Sequence, residues 1–249
     1  MTRLTSIMAV FVLLIFSMAA QGQIIHYHQN FDNLVEGDAE GQDGWATGPP
    51  ATANETATTI TSEVFHGDSG KSMQVDPKQV VIREFNPIIA SGIHFVSLWF
   101  RYELRDITDD KLFVYYGEEI REWGGGPNCY IGGNGGDPNK VTLYKAGAWI
   151  PVGDDIKVGE WQHFFQVIDI DNQKHDVYID DVLVAEDCDY RNPGNHKALG
   201  WMMFGFDRGK VGTIGYYDDV VVGEGNELIQ AVDPGDKLTT TWGLLKDER

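Results

Sequence analysis

The hydrophobic and polar pattern is most informative in the run from Trp161 to Glu186, WQHFFQVIDIDNQKHDVYIDDVLVAE, which reads as two strands, a tight turn and a third strand. Trp161, Phe164, Phe165, Val167 and Ile168 form an apolar, β-rich block bounded by Gly159 and by the polar stretch Asp169 to Lys174. A second strand, Val177 to Ile179, meets a third, Val182 to Ala185, across Asp180-Asp181. Two acidic residues between apolar runs suit a hairpin turn, although Asp-Gly would accept the positive φ more readily. Upstream, Ile93 to Glu103 alternates from residue 96. Val96, Leu98, Phe100 and Tyr102 share one face, the predicted core, and Ser97, Trp99, Arg101 and Glu103 share the other. The same reading predicts strands at 24–31, 57–65, 72–76, 79–85, 93–104, 111–116, 128–131, 140–144, 161–169, 175–180, 182–186, 198–206 and 213–222. No long helical period occurs, so the expected fold class is all-β, a two-sheet antiparallel sandwich. No solenoid or propeller repeat is visible.

The order Trp-x-x-x-Phe-x-Val, polar loop, Val-Tyr-Ile-Asp-Asp-x-Leu-Val resembles the laminin G and concanavalin A-like jelly-roll superfamily. The resemblance extends upstream to Phe31-Asp32 with Gly41-Gln42-Asp43-Gly44-Trp45, and downstream to Ile214-Gly215-Tyr216-Tyr217-Asp218-Asp219-Val220, covering roughly residues 24 to 223. It implies a jelly-roll sandwich. It does not choose among sugar-binding modules, glycanases, lyases and adhesion domains, all of which use this architecture.

Residues 1–22 carry Arg3, an apolar stretch from Ile7 to Phe16, and small residues at Ala19, Ala20 and Gly22. The apolar stretch is about half of the roughly 20 residues a spanning helix needs, so it reads as a signal peptide with the mature start near Gln23. Export to periplasm, cell surface or medium is the expectation, with a domain over 23–225 and an appended tail over 226–249. That tail, with its break at Pro234-Gly235 and the run Thr239 to Leu245, either packs back on the domain or engages a protein partner. Net charge is −19, and −20 once Arg3, the one charged residue of the first 22, is removed. Such a balance disfavours nucleic acid, anionic lipid and polyanionic glycans, and favours neutral or cationic ligands and divalent metal. Cys129 and Cys188 in an exported chain permit one disulfide, with two buried free thiols as the alternative. Asn54-Glu55-Thr56 is a glycosylation sequon.

Several constellations are candidates for chemistry. Trp99 with Arg101 and Glu103 on an open face reads either as a ligand platform or as a solvated face with a cross-strand ion pair. Trp123 lies in a Gly-rich loop region between Gly117 and Asn139, where an aromatic ring either packs on the domain or waits for a sugar; Trp149 is a weaker case of the same kind. The jelly-roll resemblance implies a structural Ca²⁺ held by Asp32 and by Asp218 or Asp219, with Gly37, Asp38 or Asp43 as further oxygen donors. Aspartates capping strand ends in water are the alternative. His26 and His28 are a lone close pair without the cluster zinc needs.

Catalysis finds less support. No Glu-x-Asp-x-x-Glu strand of the jelly-roll glucanases is present, and Glu118-Glu119-Ile120-Arg121-Glu122 has the wrong spacing. Arg101-Tyr102-Glu103-Leu104-Arg105 and Tyr144-Lys145-Ala146-Gly147 resemble strands of jelly-roll alginate lyases, but Trp149 stands where the catalytic tyrosine would be and no Gln-Ile-His segment occurs. No Gly-x-Ser-x-Gly elbow or phosphate loop exists. The expected function is a non-catalytic carbohydrate-binding or adhesion module whose partner is a glycan or cell-surface polysaccharide, with a polysaccharide lyase and a structural display domain for the tail as alternatives.

Overall fold

The computed structural model describes residues 23–48, 58–68, 70–76, 79–103, 112–117, 125–131, 139–145, 147–193, 196–206 and 214–227. Residues 1–22, read above as a signal peptide, the sequon at Asn54, Trp123 and residues 228–249 of the tail lie outside them. Within the described residues every named element is a strand. The first half holds β1 (Ile25–Gln29), β2 (Gly37–Asp38), β3 (Trp45–Thr47), β4 (Thr59–Thr61), β5 (Ser72–Val75), β6 (Val80–Ile89), β7 (Ile93–Glu103) and β8 (Leu112–Gly117). The second holds β9 (Cys129–Ile131), β10 (Val141–Lys145), β11 (Ala148–Val152), β12 (Trp161–Asp169), β13 (Lys174–Ile179), β14 (Val182–Asp189), β15 (Leu199–Phe206) and β16 (Ile214–Glu224).

They form an antiparallel sandwich of a nine-stranded sheet, ordered β14-β13-β12-β7-β16-β5-β4-β2 with β1 paired to β16, and a seven-stranded sheet, ordered β11-β10-β9-β8-β15-β6-β3. The alternation that predicts β7 decides its packing. Val96, Leu98, Phe100 and Tyr102 are fully buried between the sheets, where they meet Phe164 and Ile168 of β12, Met202 and Phe204 of β15 and Tyr217 of β16. Burying each such side chain contributes about 1.5–3 kcal/mol, which makes this face the main source of stability. The Asp180-Asp181 turn joining β13 to β14 takes φ of 49° and 63°, both positive as a two-residue type I′ hairpin requires. Asp180 meets that requirement with help: its carboxylate accepts from His163 N at 3.0 Å, Gln162 Nε2 at 3.1 Å and Lys157 Nζ at 2.9 Å.

Three strands were not expected. β2 and β3 are two and three residues long, too short to show a period, and β11 contains Pro151, which an edge strand at the end of its sheet tolerates. Cys129 and Cys188 are buried free thiols, so of the two readings the structure carries the second. Burial pushes the Cys129 thiol up, and the neighbouring Cys188 adds to it.

Candidate functional site

The outward face of the nine-stranded sheet holds Trp99, Arg101 and Glu103. Antiparallel register sets His163 opposite Trp99 and Trp161 opposite Arg101 on one side, and Asp218 opposite Trp99 on the other. The indole of Trp99 stacks on His66, with ring centres 3.9 Å apart and planes within 17°, and is flanked by His163 at 5.2 Å. Each imidazole is anchored by a carboxylate. His66 Nδ1 donates to Asp219 at 3.0 Å and His163 Nδ1 donates to Asp181 at 3.0 Å, which leaves His163 Nε2 to accept from the Ser97 hydroxyl at 2.8 Å. Arg101 and Glu103 close on each other through Nε at 2.8 Å and Nη2 at 2.6 Å. The predicted residues are therefore brought together, but the indole face and both charges are already engaged within the protein.

The carboxylates assigned to calcium sit at the other edge of this network. Asp32 accepts from Lys71 N at 2.9 Å and Asn30 Nδ2 at 3.1 Å, while the Lys71 ammonium donates to the carbonyls of Asp32 and Leu34. Asp218 is 3% exposed, accepts from the backbone N–H groups of His66 and Asp219, and has no cationic side chain against it among the described residues. Burial pushes its carboxyl up to about 7, and the neighbouring Asp219 and Asp32 add to the shift. Asp219 is turned outward to His66 by a bulge in β16, at φ 47°. A buried carboxylate short of counter-charge suits a divalent cation. Among the described residues no three His, Cys, Asp or Glu side chains gather as a ligand group, so calcium at Asp32 and Asp218 would draw its other ligands from carbonyls and water.

The outward face of the seven-stranded sheet has a different character. Because Leu199, Met202 and Phe204 of β15 point into the main core, Trp201 and Met203 point away from it. They form a second buried cluster with Val80, Ile82 and Tyr130, against which Trp149 packs. The β10–β11 hairpin turns at Gly147, φ +85°, and so pairs Tyr144 with Trp149. Their rings meet edge-on at 5.4 Å, and Trp149 lies 4.3 Å from Tyr130. Over both rings lies the guanidinium of Arg191, 5.3 Å from Trp149 and 5.8 Å from Tyr144. Arg191 follows β14, where the chain leaves the nine-stranded sheet, and its backbone is clamped to Gly126 by two hydrogen bonds of 2.9 and 3.0 Å. Gly125 beside it must lack a side chain, because the ring of His196 occupies the place of a Cβ.

At this end of the sandwich two buried polar side chains have no hydrogen-bond partner among the described residues. Thr142 sits opposite Tyr130 in the β9–β10 register, and Asn128 immediately precedes β9. Asn128 is 1% exposed and Thr142 fully buried, yet neither Asn128 Oδ1, Asn128 Nδ2 nor Thr142 Oγ1 has a hydrogen-bond partner. Leaving such groups unsatisfied costs about 1–3 kcal/mol each. Aromatic rings beside unspent donors and acceptors are what a sugar uses, through its apolar face and its hydroxyls. Sequence reasoning found Trp149 alone here. The Lys145-Ala146-Gly147-Ala148 turn was the available signal for its pairing with Tyr144; nothing local points to Arg191, which arrives by a crossing between sheets.

The two segments resembling alginate lyases are separated. Arg101 faces outward from the nine-stranded sheet and Tyr144 and Trp149 outward from the other, with the hydrophobic core between them. A base and a carboxylate neutraliser on opposite sides of a sandwich do not act on one substrate.

No protein-family profile matches the chain, and no curated protein matches it. Solved structures do. Domain 4 of AbnA, an extracellular arabinanase of the GH43 type from Geobacillus stearothermophilus, solved with arabinotriose, is 18% identical, with a TM-score of 0.53 over 82% of this chain and 93% of that one. The cellulose induced protein Cip1 is 14% identical, with a TM-score of 0.52 over 79% of this chain and 96% of that one. A sialidase is 11% identical at a TM-score of 0.56; the match covers 81% of this chain but 19% of the sialidase. These similarities establish the β-sandwich fold.

Proposed function

We propose that this chain is an exported, non-catalytic carbohydrate-binding module of the concanavalin A-like kind that takes its glycan on the outward face of the seven-stranded sheet. The observation that carries the reading is the pairing of the Trp149–Tyr144–Tyr130 rings with the unpartnered buried side chains of Asn128 and Thr142. The rings of Trp149 and Tyr144 offer stacking surface, and the buried amide and hydroxyl would offer hydrogen bonds once the side chains covering them move aside. Structural similarity to a domain solved with arabinotriose and to a cellulose induced protein supports the same class of ligand. Export rests on the character of residues 1–22.

Calcium belongs to the proposal as a structural ion at Asp32 and Asp218, steadying the loop after β1 against the closing strand. Its test is thermal unfolding with Ca²⁺ and with a chelator. A midpoint raised by Ca²⁺ and lost on Asp218→Asn supports the site, and one indifferent to both removes it.

The binding test is a glycan array on residues 23–249. Binding to a defined glycan class that Trp149→Ala and Asn128→Ala weaken, with the fold intact by circular dichroism, supports the reading. A blank array, or binding untouched by both substitutions, refutes it.

A further inference from the structure

We propose that the glycan held on the seven-stranded sheet carries a single carboxylate, received by Arg191; this rests on the carbohydrate-binding reading of the same face.

Among the other basic side chains, Arg101 pairs with Glu103, Lys140 with Asp155, Lys157 with Asp180 and Lys174 with Asp187 and Asp189, Lys71 and Lys145 donate to backbone carbonyls, and Arg83, over the Tyr27 ring, donates to the carbonyl of Glu84. Arg191 differs. In a chain with 38 acidic against 19 basic residues, no carboxylate pairs with its guanidinium among the described residues, and its neighbours are the rings of Trp149 and Tyr144. A guanidinium resting on aromatic faces is held by them without using its N–H edge. That edge is a planar fork matched to a carboxylate, which it binds through two parallel hydrogen bonds. The backbone clamp to Gly126 fixes the Cα from which the fork extends, so little ordering is required on binding.

Charge limits the ligand from the other direction. A net charge of −19 repels a polyuronate along its length, and the cleft at the β13–β14 edge of the nine-stranded sheet, lined by Asp169, Asp176, Glu186 and Asp187 with Lys174, adds to that repulsion. One carboxylate placed on one guanidinium escapes most of this cost. The geometry therefore favours an isolated acidic sugar on an otherwise neutral glycan over a polymer of acidic sugars.

The experiment is an array of glucuronate-, galacturonate- and sialate-terminated oligosaccharides, each beside its carboxyl-reduced counterpart, with polygalacturonate and neutral oligosaccharides included. For any pair bound, the acid form should bind roughly ten- to a hundredfold more tightly than the reduced form, the worth of a charge-assisted bidentate contact. Arg191→Met, which keeps an aliphatic cover on the rings, should erase that preference while still binding the reduced form. Arg191→Lys, a point charge without the fork, should keep part of it. Neutral glycans bound as well as acidic ones, a preference that survives Arg191→Met, or polygalacturonate as the best ligand would each overturn the inference and leave glycan binding standing. No glycan bound at all would remove the carbohydrate reading itself.

Discussion

His175 and Asp218 impose opposite pH dependences on the stability of the sandwich, and their magnitudes nearly cancel. Burial pushes the His175 imidazole down to about 3; its neutral ring accepts from Gln166 Nε2 at 2.9 Å inside the core. The unfolded chain, with an ordinary imidazole near 6.5, then takes up a proton before the folded one does. The stability His175 contributes is complete above about pH 6.5 and is lost as pH falls toward about 3. Asp218 runs the other way. Its folded carboxyl, raised to about 7, keeps a proton that an unfolded aspartic acid has released, so its contribution is present in acid and is lost as pH rises from about 4 to about 7. Acidifying from about pH 6.5 to about pH 4 removes roughly 3 kcal/mol through His175 and returns roughly 3 kcal/mol through Asp218. Carboxylates held below the ordinary range, such as Asp169 through its hydrogen bonds from Asn172, give up their share only below this window. His26, a partly exposed imidazole lowered by burial and by His94, adds a small loss common to every variant, so the parent chain should show a shallow slope over the interval, and each single substitution should expose the other group's slope. Against the parent, His175→Gln should gain roughly 3 kcal/mol on acidification, Asp218→Asn should lose roughly 3 kcal/mol, and the double variant should again match the parent. Urea unfolding at the two pH values in chelating buffer, with unchanged m-values, reads this directly. Two single variants whose pH slopes match the parent's would refute the assignment of opposed buried groups.

Other outcomes are simpler. Leu98→Ala, which opens a cavity beneath the centre of the nine-stranded sheet, should cost about 2–5 kcal/mol in the same denaturant assay. Glu103→Gln should cost under about 1 kcal/mol, because its pair with Arg101 is partly solvated, and the loss should shrink further in high salt. On the glycan array Trp99→Ala should leave affinity unchanged where Trp149→Ala lowers it. Equal losses from the two would move the ligand to the His66-covered face.

The fold was legible because sandwich strands declare themselves locally. In β7 the alternation from Leu98 to Glu103 is the burial pattern itself, whereas the inward face of β12 carries Gln162 and Gln166 beside Phe164 and Ile168, and that strand is read from its β-rich composition instead. Alternation failed where strands are too short to alternate, at β2 and β3, and where an edge strand admits proline, at β11. The turn at Asp180-Asp181 was readable for the same reason, since positive φ at two adjacent residues leaves few residue types that fit.

Alternation says which residues leave the core, but not what else covers them once outside. Trp99 alternates outward as expected, yet His66 arrives from the segment between β4 and β5, far away in sequence, and occupies its ring. Trp149 alternates outward too, and what reaches it is Arg191, delivered at a crossing between sheets and pinned there by Gly126. Two tryptophans that look alike in the sequence thus acquire opposite roles from non-local neighbours. One is closed by an imidazole whose Nδ1 is held by Asp219; the other lies under a guanidinium that no carboxylate of the described residues pairs with, beside Tyr130, which the unpartnered Thr142 faces across the β9–β10 register. The difference that decides binding is the balance of satisfied and unsatisfied polar groups around an aromatic ring, a property of tertiary packing.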